Sequence, residues 1–235
     1  PYCWGLGNYG ALGDGVTRSR SYPAPIQDGL FVANEVAIGY GHLCMLHIDG
    51  TIWCWGRNVY GQLGDGTTTD STTAVIVESI GAFNHAISTK YYTTCSLRKD
   101  GHVWCWGYNS NGQCGIGTTT QWEEPGEVLD IYDATQLSVG ARYACTVSET
   151  GIIRCWGRNT SGQLGDGTFE GKLLPVEVSS ISSVRKVVAG VEHTCAVKND
   201  GTLWCWGSNQ YGQLVYGTTI YSAVPVQVSL LTSPV

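Results

Sequence analysis

The stretch that decides the fold runs from Gly50 to Gly66, GTIWCWGRNVYGQLGDG. It returns as GHVWCWGYNSNGQCGIG from Gly101, as GIIRCWGRNTSGQLGDG from Gly151 and as GTLWCWGSNQYGQLVYG from Gly201. The chain opens inside a fifth copy, PYCWGLGNYGALGDG. The Trp of each CWG falls at Trp4, Trp55, Trp106, Trp156 and Trp206, a spacing of 50 or 51 residues. A Gly-punctuated unit of that length marks a repeat architecture, in which one unit buries its apolar surface only against the next. What recurs in every copy therefore belongs to the frame, and what changes between copies is free for other uses.

Outward from the CWG, the segments Leu43–Ile48 and Thr51–Trp55 read as a strand pair joined at Asp49-Gly50. Alternation places Cys44, Leu46, Ile52 and Cys54 on one face and Leu43, Met45, Trp53 and Trp55 on the other. Strands apolar on both faces are expected where each small sheet is sandwiched between neighbours. After each CWG comes a Gly-rich segment, a Thr-rich loop and a further short strand, marked by Pro23, Ala74, Pro125, Pro175 and Pro225. Proline there fits an edge strand, which needs no ladder donor. The runs Val32–Ile38, Ala82–Ser88, Tyr132–Ser138 and Ser182–Val188 then lead back to the Cys strand. Four short strands per unit predict an all-β fold of four-stranded antiparallel propeller blades.

The units are 1–31 (partial), 32–81, 82–131, 132–181 and 182–235 (incomplete), about 4.6 repeats in one propeller region. Arg18–Asp28 reads as a turn-rich crossing, and Phe31–Ile38 begins the next unit. Five CWG halves face only four Gly-x-x-His/Tyr/Thr-x-Cys halves. The expectation is an arc of a larger ring, for example a seven-bladed one, completed by further repeats of the same chain or by another subunit. A start at PYCWG, within a repeat, is what a processed, excised or partial sequence would show.

Eight of the ten cysteines form four equally spaced pairs: Cys44 with Cys54, Cys95 with Cys105, Cys145 with Cys155 and Cys195 with Cys205. A hairpin with a three-residue loop ending in a left-handed Gly sets each pair directly across the ladder. If the loop-closing pair His47–Thr51 is hydrogen-bonded, Cys44 and Cys54 fall on a non-hydrogen-bonded pair, where side chains approach most closely. Zinc is the rival reading, but zinc sites use tighter Cys knuckles converging in twos. Disulfides are therefore expected, and with them an oxidising compartment, extracellular or at the cell surface. Cys3 occupies the second-Cys place of its copy, and its partner would precede Pro1. Cys114 stands where other copies carry Leu and reads as a buried free thiol.

Composition narrows the function classes. Only 14% of the 235 residues are charged, while Gly numbers 32 and Trp 9, a profile of tight turns and short strands rather than of a helical bundle or a disordered tail. A net charge of −6 without a basic block argues against phosphate-tracking nucleic-acid binding. No apolar run is long enough to span a membrane, and no signal peptide is evident.

The run Glu192-His193-Thr194-Cys195-Ala196-Val197, then Asn199-Asp200-Gly201-Thr202-Leu203-Trp204-Cys205-Trp206-Gly207-Ser208-Asn209 and Gly212-Gln213-Leu214, resembles the repeat of the regulator of chromosome condensation family. The likeness covers essentially the whole chain and implies propeller blades, usually seven. The paired cysteines resemble an extracellular or bacterial branch of that family. Val215-Tyr216 in place of Gly-Asp, Ile116 in place of Asp and Gly7 in place of Asn depart from the pattern within turns.

Candidate chemistry is sparse. His42 and His193 share their place with Thr93 and Tyr143, which points to a hydrogen-bonding role rather than a base or a metal ligand. The GDG segments at Gly13, Gly64 and Gly165 lack the closing Glu of a calcium loop, so their Asp residues are expected to hold turn backbone. Asn159-Thr160-Ser161 is a glycosylation sequon, usable only if its turn is exposed. What varies is more informative. The residues preceding the His/Tyr/Thr place, Tyr40-Gly41, Tyr91-Tyr92, Ala141-Arg142 and Val191-Glu192, begin a strand at one rim. Tyr40, Tyr91, Tyr92, Arg142 and Glu192 are the binding candidates, since Tyr and Arg favour interface hot spots. Trp122, beside Glu123-Glu124, is another.

The resulting expectation is a non-catalytic extracellular binding or structural protein, without cofactor or metal, whose rim engages a protein partner. A glycan-binding propeller is the alternative, through stacking of Tyr and Trp on sugar rings. Guanine-nucleotide exchange ranks third, because the units show no insertion to wedge into a GTPase and no basic tail.

Overall fold

The computed structural model describes residues 1–26 and 32–228. The end of the predicted crossing at Asp28, the predicted unit start at Phe31 and the last residues up to Val235 lie outside them. Two compact units are distinguished: Pro1–Lys99 with Val103–Asn109 and Thr120–Glu127, and Asp100–His102 with Ser110–Thr119 and Val128–Val235.

The first unit holds a two-stranded sheet of β1 (Tyr2–Gly5) and β2 (Arg20–Pro25) and two four-stranded sheets. One is β3 (Ala33–Ile38), β4 (His42–His47), β5 (Ile52–Gly56) and β6 (Ser71–Ile76); the other is β7 (Asn84–Lys90), β8 (Thr93–Arg98), β9 (Val103–Gly107) and β10 (Trp122–Glu127). The second unit holds β11 (Ala134–Val139), β12 (Tyr143–Ser148), β13 (Ile153–Gly157) and β14 (Lys172–Glu177), then β15 (Val184–Ala189), β16 (His193–Lys198), β17 (Leu203–Gly207) and β18 (Ser222–Gln227). Every sheet is antiparallel with strands in sequence order, and the described residues contain no α-helix. The expected fold class, four-stranded antiparallel propeller blades, is the one observed. The Pro-marked strand is the sheet edge each time.

Register follows from the hairpin turn. His47 N donates to Thr51 O at 2.9 Å, Gly50 N donates to His47 O at 2.9 Å, and Gly50 takes φ +88°. Counting outward, Cys44 lies opposite Cys54, and the same register sets Cys95 against Cys105, Cys145 against Cys155 and Cys195 against Cys205. All four pairs are disulfides with Cα–Cα separations of 4.1 Å, the close spacing of a non-hydrogen-bonded pair. Neither Cys3 nor Cys114 is in a disulfide among the described residues, and Cys114 is buried. The first strand of the second blade starts at Asn84 rather than at Ala82, because the Asn84 side chain donates to Gly81 O and Gly50 O and holds the approach in a turn.

Both faces of the β4–β5 hairpin are packed. Cys44, Leu46, Ile52 and Cys54 join a cluster with Leu63, Ile87 and Trp106, while Leu43, Met45 and Trp55 join one with Ile26. The CWG indole is the joint between successive blades. Trp106 Nε1 donates to Gln62 O at 3.0 Å, and Thr94 Oγ1 donates to the same carbonyl at 3.0 Å. Trp206 and Thr194 repeat this on Gln163 O, and Trp156 donates to Gln113 O. Each link satisfies a buried N–H that would otherwise cost about 1–3 kcal/mol.

The departures from the repeat pattern keep their turns. At Gly7, a Cβ would stand 2.0 Å from Arg18 O, so a backbone carbonyl fills space that a side chain takes elsewhere. Val215 adopts φ +54°, the left-handed conformation its glycine counterparts take.

Candidate interaction surface

At the open end of each hairpin, the residue after the CWG glycine is tied to the residue just before the Cys strand. Arg57 N donates to Gly41 O at 2.7 Å, Tyr108 N to Tyr92 O at 2.9 Å, Arg158 N to Arg142 O at 2.9 Å and Ser208 N to Glu192 O at 2.7 Å. Two sets of positions that differ between copies are thereby held side by side on a rigid strand end.

In the first unit this produces a cluster of tyrosines. Tyr40 stacks on Tyr91 with ring centroids 6.3 Å apart and meets Tyr92 edge-on at 5.4 Å. Tyr60 lies 5.0 Å from Tyr92 and 4.9 Å from Tyr108. The Arg57 guanidinium carbon sits 4.8 Å from the Tyr9 ring centre and 5.0 Å from that of Tyr92, and Arg57 Nη1 donates to Tyr92 Oη at 3.2 Å. A guanidinium over an aromatic face is held by the ring quadrupole, and aromatic pairs contribute about 0.5–1.5 kcal/mol each beyond the area they bury. Tyr40 N donates to Tyr91 O at 2.6 Å, and Tyr91 takes φ +52°. Tyr40 nonetheless remains 58% exposed and Tyr91 41%. Burial among its neighbours pushes the Tyr92 phenol up, with the Arg57 charge opposing.

Of the predicted site residues, the structure brings Tyr40, Tyr91 and Tyr92 together. Arg142 and Glu192 belong to the second unit, where Arg142 is exposed and Glu192 pairs with Arg158 at 3.2 Å. Trp122 starts the edge strand β10 with its indole laid toward Gly126, outside the ring contacts that join the tyrosines. Tyr9, Arg57, Tyr60 and Tyr108 were not anticipated. Their signal was available: the place after each CWG glycine reads Leu6, Arg57, Tyr108, Arg158, Ser208, and the place three further on reads Tyr9, Tyr60, Asn111, Ser161, Tyr211.

The other candidates are structural. His42 is buried, its Nε2 hydrogen-bonds Thr94 Oγ1 at 3.1 Å, and desolvation lowers its pKa to about 3. Burial also lowers His193. Asp65 accepts from Asn58 Nδ2 and from Thr67 N, as a turn-holding Asp should. Asn159 is fully buried, its amide donating to Asp166 Oδ1 and to Thr168 O and Glu170 O, so the sequon is spent on its own loop. Among the described residues no cluster of three or more His, Cys, Asp or Glu side chains is placed to hold a metal, and no helix is long and apolar enough to cross a membrane.

Residues 1–235 match the model of the RCC1-like domain. The Ultraviolet-B receptor UVR8 of Arabidopsis thaliana is 32% identical over 125 residues, covering 51% of this chain and 28% of that protein. Human WBSCR16 superposes with a TM-score of 0.86 at 22% identity over 97% of this chain and 62% of that one. Yeast RCC1 (Prp20) does so with TM-scores of 0.79, in a structure described with its binding to Gsp1p and histones, and 0.82, in complex with Kap60. Those two alignments, at 19% and 22% identity, take in 92% and 100% of this chain and 55% and 58% of Prp20. The chain thus spans less than two thirds of each of these proteins. These matches correct one expectation. The RCC1 and WBSCR16 relatives are nuclear or cytoplasmic proteins, so the placement in an extracellular or bacterial branch, and with it the secreted, extracellular or cell-surface location, is overturned. The physical reason lies in the inference itself. Opposed cysteines are a consequence of ladder register, and register carries no information about compartment.

Proposed function

The chain belongs to the RCC1-like domain family, and from that premise we propose that it is a non-catalytic propeller module that binds a protein partner through the tyrosine-lined strand ends of its first unit. The observation that carries this reading is the cluster of Tyr40, Tyr91, Tyr92, Tyr60 and Tyr108 around Arg57. Rigid amphipathic rings on fixed backbone lose little conformational freedom on association and are enriched at hot spots.

The proteins named with Prp20, Gsp1p and histones, define the first partner classes to test. Biolayer interferometry against them, with Tyr40→Ser/Tyr91→Ser as the surface variant, is the direct measurement. A ligand whose affinity falls at least tenfold in the variant, with the thermal midpoint unchanged, supports the proposal. Binding indifferent to both tyrosines refutes it. The exposed faces of Tyr40 and Tyr91 also keep a glycan-stacking reading in play, and a glycan array run in parallel separates the two.

A further inference from the structure

We propose that Arg57 is a carboxylate-recognition point, placed to take the Asp or Glu side chain of an acidic segment in the partner. The inference rests on the protein-binding reading above and adds the chemistry that the surface selects.

The Arg57 guanidinium carbon lies 4.8 Å from the ring centre of Tyr9 and 5.0 Å from that of Tyr92, and Nη1 donates to Tyr92 Oη at 3.2 Å. Among the described residues no carboxylate forms an ion pair with it. The bond to Tyr92 uses one of five N–H donors, and the planar, fork-shaped guanidinium matches a carboxylate.

The repeat contains its own control. Arg158 occupies the place of Arg57, Glu192 that of Tyr92 and Ser161 that of Tyr60. In that copy the carboxylate is supplied internally: Glu192 Oε1 lies 3.2 Å from Arg158 Nη1, and Ser161 Oγ donates to Glu192 Oε2 at 3.3 Å. The same arginine position is therefore closed by an acid in one copy. In the other, the acid is replaced by a phenol and the bracing hydroxyl by a ring. Aromatic walls lower the local dielectric and strengthen a charge-assisted contact there. The chain as a whole carries −6, so it does not attract acidic segments by net charge, and selection for them has to be local.

The test follows the side-chain Nε–Hε resonances of Arg57 and Arg158 in one nitrogen-15 spectrum of the whole chain, assigned with Arg57→Gln and Arg158→Gln. The probes are acetyl-Trp-Glu-amide, acetyl-Trp-Gln-amide and inorganic phosphate. A saturable shift of Arg57 with the Glu peptide, at least tenfold tighter than with the Gln peptide and absent from Arg158, is expected. Tyr92→Glu, which rebuilds the closed pair, should suppress that shift at least tenfold. No shift at Arg57, equal response to the Gln peptide, equal response of both arginines, or tighter binding of phosphate than of the Glu peptide overturns the proposal. Should a protein ligand still depend on Tyr40 and Tyr91 while Arg57 ignores the Glu peptide, the binding surface stands and only its acid selectivity falls.

Discussion

Replacing Gly64 by Ala should unfold the chain far more readily than replacing Gly212 by Ala, although both glycines sit in the left-handed region, at φ +72° and +77°. A Cβ on Gly64 would stand 2.7 Å from Trp106 Nε1 and 3.0 Å from Cδ1 and Cε2, whereas one on Gly212 meets nothing within 4 Å. Both variants incur the left-handed strain of about 1–2 kcal/mol and gain about 0.4–1 kcal/mol from a stiffer unfolded chain. Gly64→Ala adds overpacking of about 1–3 kcal/mol against an indole that is fully buried. Pushing that indole aside also weakens its bond to Gln62 O, about 1 kcal/mol more. The expected losses are roughly 2–5 kcal/mol for Gly64→Ala and about 0–1.5 kcal/mol for Gly212→Ala. Urea unfolding with the disulfides intact, followed by tryptophan fluorescence, reads both. Val215, a residue with a side chain at the place of Gly64, shows that φ alone does not forbid substitution. If the two variants agree within about 0.5 kcal/mol, the close approach of backbone to indole is not what requires glycine, and the reasoning fails.

Because His42 is held neutral with a pKa near 3 in the fold and returns to its ordinary value near 6.5 when unfolded, the unfolded state binds the extra proton. Stability is then full above about pH 6.5 and falls toward pH 3, by at most about 1.4 kcal/mol per pH unit, and His42→Gln should flatten that slope in denaturant titrations. Asn159→Ala removes the buried amide that bonds Asp166, Thr168, Glu170 and the Leu164 N–H, and a loss of about 2–3 kcal/mol is expected in the same urea assay. Iodoacetamide should label Cys3 in the native chain and spare Cys114, with two labels after unfolding without reductant; intact mass decides, and ten labels would disprove the four bridges.

Much of the frame is legible in the sequence because it depends on short-range rules. A three-residue loop ending in Gly50 fixes which residues oppose, and Cys44 and Cys54 follow by counting. Apolar residues on both faces of Leu43–Trp55 announce a sheet covered on both sides, and both clusters exist. The tyrosine surface was legible only in part. Tyr40 and Tyr91–Tyr92 stood out as variation at a strand start, but Arg57 and Tyr60 follow the hairpin rather than precede it. Their meeting with Tyr92, 35 residues after Arg57, depends on the fit of one blade to the next, which no local pattern encodes. Arg142 and Glu192 obeyed the same positional rule, yet Glu192 turned inward to Arg158, because an adjacent cation outcompetes water for a half-buried carboxylate.

The pairing of fixed joints with variable ends explains how such a chain can change partners without changing fold. The Trp–Gln carbonyl links and the disulfides lie in the buried interior, where any substitution leaves a donor unpaired or a void behind. At the strand ends the backbone bond from Arg57 to Gly41, or from Arg158 to Arg142, involves no side chain, so that bond by itself does not restrict the residues it joins. Variation at those places comes in coupled sets. An arginine after CWG is either closed by an acid in the following copy, as with Arg158 and Glu192, or left open beneath tyrosines, as with Arg57 and Tyr92. The unit of functional change is therefore the trio of positions 57, 60 and 92 rather than any one of them, since the closed pair of Arg158 takes both Glu192 and the Ser161 hydroxyl that donates to it.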